Sequence, residues 1–168
     1  MFRGRAALLQ HSAKRLEPVV GVLAAAPEAV WRADADDYSP LVKAALTKVY
    51  HELRASLPGG QSQTLVTKTM LGAFGCVPAY DRYFRDAFGA ATFGPKSLAG
   101  LEKYYRANAE TIDAYRVPTI DFASGADSNR RYTRAKVIDM VFFTKGLRSG
   151  GMSSVSLYPS SSATGFES

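Results

Sequence analysis

The segment from Thr64 to Phe84 reads TLVTKTMLGAFGCVPAYDRYF, and it combines more structural signals than any other part of this 168-residue chain. Its apolar residues recur at helical spacing, and Gly75 is a typical helix stop. Pro78 then precedes Asp81, which predicts a turn followed by a second helix. The segment therefore predicts two helices joined by a short elbow, and it raises the question of why Lys68 lies among apolar residues.

Working outward from this segment, similar signals predict further helices. Ser39 is a typical N-cap with Pro40 in the first turn, and the helix that follows ends before the Pro–Gly–Gly at residues 58–60. Pro18 and Pro27 interrupt the chain after the first predicted helix. The other helices are predicted over residues 3–16, 62 or 64–74, 81–88, 97–115 and 131–145, the last ending at Gly146. Ser97 is the predicted N-cap of the helix over 97–115, and residues 117–129 are predicted to form an irregular loop.

These patterns predict an all-α fold. Apolar residues follow a period of 3.6 and not 2, so we expect less than about 10% strand. The length suits one compact multi-helix domain, which we place at residues 1–148. Residues 149–168 are rich in Ser and Gly, bury little apolar surface and are predicted to form a flexible tail.

Composition excludes several classes of protein. A hydrophobic content of 46% and a charged content of 21% are typical of a soluble globular protein. No apolar run reaches the roughly 18 residues that a membrane span needs, and charges interrupt any apolar signal core near the N-terminus. We therefore expect a cytoplasmic protein that does not enter a membrane.

No cofactor or metal is expected. His11 and His51 lie on different predicted helices, and neither has further ligands at a recurring spacing. The sequence LPGGQSQTLVTK lacks the Gly-Lys-Ser/Thr ending of a phosphate-binding loop. Cys76, the only cysteine, lies between apolar neighbours and is predicted to be a small core residue.

The charge distribution is compatible with a nucleic-acid partner. The formal net charge is +6, and residues 127–148 carry six basic and two acidic side chains, a local charge of six minus two, or +4. A solvated helix face is the simpler interpretation of such a stretch. Nucleic-acid binding is the functional one.

Lys68 and Asp81 each allow a structural and a chemical interpretation. A lysine on an apolar helix normally extends its ammonium to water, whereas a partly desolvated lysine can act as a nucleophile. Asp81 is expected to accept a hydrogen bond from the backbone N–H of Tyr83 or Phe84 as an N-cap. A capping carboxylate that lies in a cleft can also do chemistry.

The arrangement TKTMLGAFGCVPAYDRYF resembles the core of the helix-hairpin-helix DNA glycosylase superfamily. In that superfamily a helix ends in a Pro-x-x-Asp or similar segment, and the Asp assists cleavage of the N-glycosidic bond. Pro78 and Asp81 match these positions, and Lys68 lies where lyase-active members hold their Schiff-base lysine. The closing segment RRYTRAKVIDMVFFTKG also resembles the last helix of oxoguanine-glycosylase-like relatives, with Arg134, Asp139 and Phe142 or Phe143 at the matching positions. The resemblance covers residues 41–146.

The resemblance implies a DNA-associated protein, with base excision as its activity. Asp81 and Lys68 would be its catalytic residues. Contacts to nucleic acid would come from backbone groups, stacking rings and basic side chains, namely Gly59, Gly60, Tyr80, Tyr83, Arg130, Arg131 and Arg134. Two alternatives remain: a non-enzymatic helical module that binds a protein partner through the aromatic residues of 101–115, and a domain whose aromatic residues only form its core.

Overall fold

The computed structural model of the protein describes residues 12–58 and 62–151. This part of the chain forms eight α-helices and one two-stranded hairpin, so the all-α prediction is confirmed. A short 3₁₀ turn, Ala13–Leu16, precedes the first helix. The elements are α1 Glu17–Ala24, α2 Glu28–Trp31, α3 Pro40–Ser56, α4 Gln63–Phe74, α5 Arg82–Phe88, α6 Pro95–Ala107, α7 Ala109–Ala114, β1 Pro118–Ile120, β2 Asp127–Arg131 and α8 Arg134–Gly151.

Helix α3 begins and ends where its sequence predicts. The Ser39 hydroxyl accepts from the Val42 N–H, and Pro40 occupies the first turn, where its missing N–H costs nothing. One apolar face of α3 is buried against α1, α2, α4 and α6, and it consists of Val42, Leu46, Val49, Tyr50 and Leu53. Successive members of this set lie four, three, one and three residues apart, which places them on one stripe of the helix.

The two helices of the opening segment also have the predicted bounds. Ser62 caps α4 by accepting from the Leu65 N–H at 3.2 Å. Gly75 ends α4 with φ +67°, a left-handed conformation that favours glycine. Asp81 begins α5, and Gly89 ends it in the same left-handed conformation.

Helix α8 packs most extensively against α5. Aromatic rings fill this interface: Phe142 of α8 meets Phe84, Phe88 and Tyr104 with ring centroids 4.8–5.8 Å apart. Edge-to-face contacts of this kind add to the stabilisation from burial. The interface fixes α5, and with it the elbow that precedes α5, against α8.

The first turn of α8 is capped from the other end of the chain. Asp34 accepts from the Arg134 N–H at 2.9 Å and from the Ala135 N–H at 2.8 Å. Thr133 accepts from the Lys136 N–H at 3.1 Å. The helix N-terminus thus has partners for three N–H groups that have none within the helix itself.

The segment before α8 differs from its predicted irregular loop. Residues 118–131 form an antiparallel hairpin in which Pro118 pairs with Arg131 and Ile120 with Asp127. Its strands carry few alternating apolar residues. Polar contacts join them instead, such as the 2.6 Å bond between the hydroxyls of Thr119 and Ser128. A period-two search therefore misses this hairpin.

Helix α8 is longer than predicted at its C-terminal end. It begins at Arg134 and continues through Gly146 to Gly151, so the predicted stop at Gly146 is wrong. Gly146 is buried, and a Cβ at this position would collide with the carbonyl group of Tyr83. The predicted tail at 149–168 overlaps α8 over residues 149–151, and its remainder lies outside the described residues.

Three smaller predictions also need correction. Pro18 does not break the chain but lies in the first turn of α1. Helix α6 begins at Pro95, so Ser97 is not its N-cap but reaches back to accept from the Gly94 N–H. The predicted helix over 97–115 is two helices separated at Asn108. The predicted first helix, 3–16, lies largely outside the described residues.

None of the helices in the described ranges combines the length and apolar character that crossing a bilayer requires. Within the same ranges, no group of three or more His, Cys, Asp or Glu side chains is placed to hold a metal ion. Cys76 is fully buried, and burial raises the pKa of its thiol to about 12. The prediction that Cys76 is a core residue is confirmed.

The close approach of α5 and α8 predicts opposite effects for two glycine substitutions. Gly146→Ala should lower the free energy of unfolding by about 1–3 kcal/mol, because the new methyl group meets the backbone of α5. Gly21→Ala in α1 has open space around it and should raise the free energy of unfolding by up to about 1 kcal/mol. Urea denaturation measures both. Equal stability of Gly146→Ala and the wild type would contradict this packing.

Candidate functional site

The elbow between α4 and α5, residues 75–81, has no regular hydrogen-bond pattern of its own. Side chains from other elements bind its backbone instead. Thr133 donates to the Gly75 carbonyl at 2.6 Å, and Tyr38 donates to the Cys76 carbonyl at 2.8 Å. Buried backbone groups need such partners, so the N-terminal half of the elbow is tied to α8 and to the segment before α3.

The second half of the elbow is bound in the same way. The Ala79 N–H donates to Asp139 of α8 at 2.9 Å. The Tyr80 N–H donates to the Thr67 hydroxyl, and the Thr64 hydroxyl donates to the Tyr80 carbonyl, both at 2.9 Å. The direction in which the chain enters Asp81 is therefore fixed from α4 and α8 together.

Asp81 has the capping role that the sequence predicts. Its Oδ1 accepts from the Phe84 N–H at 3.0 Å, at the start of α5. Its Oδ2 lies 3.5 Å from the Nζ of Lys68. One carboxylate oxygen therefore holds the helix, while the other faces a lysine.

Lys68 and Asp81 share a central cleft, which has a volume of about 720 Å³. Lys68 extends from α4, and its side chain is 54% exposed. The apolar enclosure that would activate a nucleophilic amine is thus absent around this lysine. The described residues that line the cleft are Lys68, Leu71, Gly72, Gly75, Ala79, Asp81, Thr119, Arg131, Tyr132, Thr133, Lys136, Asp139, Met140 and Phe143.

A second lysine–aspartate pair lies in the same cleft. The Nζ of Lys136 is 3.4 Å from the Oδ2 of Asp139, one turn further along α8. Burial raises the pKa of Asp139, and the nearby carboxylate of Asp81 adds to the increase, while the Ala79 N–H and Lys136 oppose it. The cleft therefore holds two carboxylates in different environments.

The charge that lines the cleft is slightly positive. Lys68, Arg131 and Lys136 oppose Asp81 and Asp139, which gives three minus two, or +1. Two partly exposed rings, Tyr132 and Phe143, lie on the same surface. An anionic ligand with a flat apolar group would find a complementary partner for both of its parts.

The three arginines proposed as phosphate contacts lie in different places. Arg131 lines the cleft, and its Nη1 donates to the Arg116 carbonyl at 2.6 Å. Arg130, on the same strand, is exposed. Arg134 is instead held among carboxylates: its Nη1 is 3.2 Å from Asp36, and its Nε is 3.0 Å from Asp113. We therefore assign Arg134 a structural role and not a phosphate contact.

The two tyrosines proposed to stack on a base also differ. Tyr80 is fully buried, and its hydroxyl donates to Ser97 at 2.9 Å, so its ring does not reach the cleft. Tyr83 is half-buried and packs edge-on against Phe143 at 5.3 Å. Gly59 and Gly60 lie outside the described residues.

Sequence reasoning found Lys68 and Asp81 but missed the part that α8 contributes. Asp139 was singled out only through the resemblance, and Lys136 only as one charge in a basic stretch. Their spacing of three residues places them on one face of a helix, and that signal could have paired them. Nothing in the local sequence shows that Asp139 binds the elbow.

The raised pKa of Asp139 predicts a pH-dependent difference between the wild type and Asp139→Asn. In the folded protein Asp139 holds its proton to a higher pH than in the unfolded chain. The wild type should therefore lose stability relative to Asp139→Asn as pH rises from the ordinary aspartate pKa of 3.8 to the raised value, and the difference should stay constant above it. Denaturation curves across this range measure it. A difference that grows in the opposite direction would contradict the environment described for Asp139.

In comparisons with known proteins, no family model, curated protein or solved structure matches this chain. The residues of the central cleft are the basis on which we infer a function.

Proposed function

We propose that the central cleft binds DNA and that Asp81 promotes hydrolysis of an N-glycosidic bond there. The observation that supports this most is the Asp81 carboxylate itself. It lies in an open cleft, 3.5 Å from Lys68, and its orientation is fixed by the bond from the Phe84 N–H. A preorganised carboxylate stabilises positive charge that develops nearby without having to reorient.

The proposed reaction uses that charge directly. The bond between C1′ and the base nitrogen breaks, and the base leaves with the bonding electrons. Asp81 stabilises the positive charge on the sugar and positions a water molecule. The water oxygen bonds to C1′, and one water proton passes to the departing base, so that atoms and charges balance. A base held between Tyr132 and Phe143 would lie away from its neighbours in the strand, as this chemistry requires.

Lys68 is better suited to a supporting role than to a covalent one. Its side chain is about half-exposed, and its ammonium lies 3.5 Å from the Asp81 carboxylate. It can hold the carboxylate in position and bind a phosphate of the same strand. Lys136 and Arg131 provide two further cations on the cleft surface.

A protein partner is the second candidate. It is favoured by exposed apolar side chains of α8, namely Met140, Val141, Phe143 and Leu147, of which Met140 and Phe143 also line the central cleft. The surface first expected for it, residues 101–115, is less suitable. Leu101 and Tyr105 are buried, and Tyr104 packs against Phe142. Among the aromatic residues of this segment, Tyr115 is the one that is exposed.

Two substitutions at Asp81 separate capping from chemistry. Asp81→Ala removes the cap and should lower the free energy of unfolding by about 0.5–2 kcal/mol. Asp81→Asn keeps a capping oxygen and should remain nearly as stable as the wild type, yet lose most base-excision activity. The assay uses oligonucleotides that carry damaged bases, both single-stranded and duplex.

Lys68→Gln completes this test. If Lys68 has the supporting role, Lys68→Gln should weaken DNA binding, and borohydride should trap no covalent product with the wild-type protein. Trapping that Lys68→Gln abolishes would instead show a Schiff base. A wild-type protein that excises no base from a panel of lesions would contradict the enzymatic part of the proposal.

Binding to duplex DNA should depend on salt through Arg130 and Arg131. Replacing both with Gln should flatten the slope of log K against log salt by about 1.8, which corresponds to two phosphate contacts. The control, Lys48→Gln with Arg54→Gln, removes the same charge from α3. Equal slopes for the two double variants would favour the protein-partner candidate.

A further inference from the structure

A second groove runs along the outer side of α8, and we call it the α8 groove. Its volume is about 710 Å³, and its lining includes Tyr115, Met140, Val141, Thr144, Lys145 and Arg148. It lies between the end of α7 and the second half of α8. The protein-partner candidate covers Met140 and Val141 of this groove, whereas the proposed DNA function has so far assigned no ligand to it.

The α8 groove adjoins the central cleft at one residue. Met140 lines both. A ligand that lies in the groove can therefore extend past Met140 towards Lys68 and Asp81. A chain-like ligand suits such a path better than a small molecule does.

The chemistry of the groove indicates which kind of chain-like ligand it suits. Its floor is apolar, and Tyr115 at its edge is 67% exposed. Lys145 and Arg148 are both exposed along α8, and no Asp or Glu of the described residues lines the groove. One exposed ring with two cations on the same groove, and no carboxylate among its described residues, complements a polyanion that carries flat apolar groups.

We propose that the α8 groove and the central cleft together bind one strand of single-stranded nucleic acid. Lys145 and Arg148 hold its phosphates at one end, a base stacks on Tyr115, and the strand passes Met140 into the cleft. This inference rests on the proposed function and adds its substrate class. A single strand has exposed base faces for Tyr115, whereas the base faces of an intact duplex are covered by their neighbours.

The path is tested with a fluorescently labelled single-stranded oligonucleotide of about 16 nucleotides, the upper range for such sites, beside the same sequence as a duplex. The wild type should bind the single strand more tightly. Tyr115→Ala should weaken its binding by about fivefold or more. Lys145→Gln with Arg148→Gln should flatten the salt slope by about 1.4, whereas Lys48→Gln with Arg54→Gln should leave the slope unchanged.

Three results would overturn the inference in distinguishable ways. If Lys68→Gln weakens binding and the groove variants do not, the cleft binds DNA but the strand does not follow the groove. If polyphosphate or an anionic vesicle competes as well as the oligonucleotide for the wild type, stacking on Tyr115 has no part. If the wild type binds no nucleic acid, the proposed function fails as well. Circular dichroism of each variant confirms that it is folded.

Discussion

The bond between the Asp34 carboxylate and the first turn of α8 is the constraint on which the site depends. Asp34 supplies acceptors to the Arg134 and Ala135 N–H groups, 100 and 101 residues away in sequence. It thereby fixes where α8 starts and how it is rotated. That rotation directs Thr133 and Asp139 to the elbow, where they bind the Gly75 carbonyl and the Ala79 N–H. These contacts fix the position of Asp81, which follows the elbow directly.

The same acidic segment explains why Arg134 is a structural residue. Its guanidinium lies near carboxylates of Asp34, Asp36 and Asp113, and it is mostly shielded from water. Removing one partner of such a group costs more than forming the pair gains, because the remaining charges stay partly buried. The basic residues of the α8 region thus divide into those that hold the fold together and those that face solvent.

Local chemistry in the sequence was enough to predict the helices that have their own caps and stops. Ser39, Asp81 and Gly75 each act on neighbours within four residues, and each was identified correctly. Ser62, which caps α4, was one of two predicted starts of that helix. The errors lie where distant residues decide the outcome. Gly146 looks like a helix stop but provides room for the Tyr83 carbonyl, and the hairpin is held by polar contacts that leave no apolar period. Lys68 and Asp81 could be singled out because they lie in one segment, but their sharing a cleft did not follow from the sequence. Lys136 and Asp139 reach the cleft only through the packing of α8.

Gly146 also has a consequence for how the cleft can move. Because the backbone of α5 rests directly on α8 at this residue, neither helix can slide or rotate far without a clash. Asp81 at the start of α5 and Asp139 on α8 therefore belong to one rigid unit, and their separation should stay the same whether the cleft is empty or filled. The hairpin, which contributes Thr119 and Arg131 to the cleft lining, is not part of this contact, so we expect it to accommodate differences in the size of a ligand.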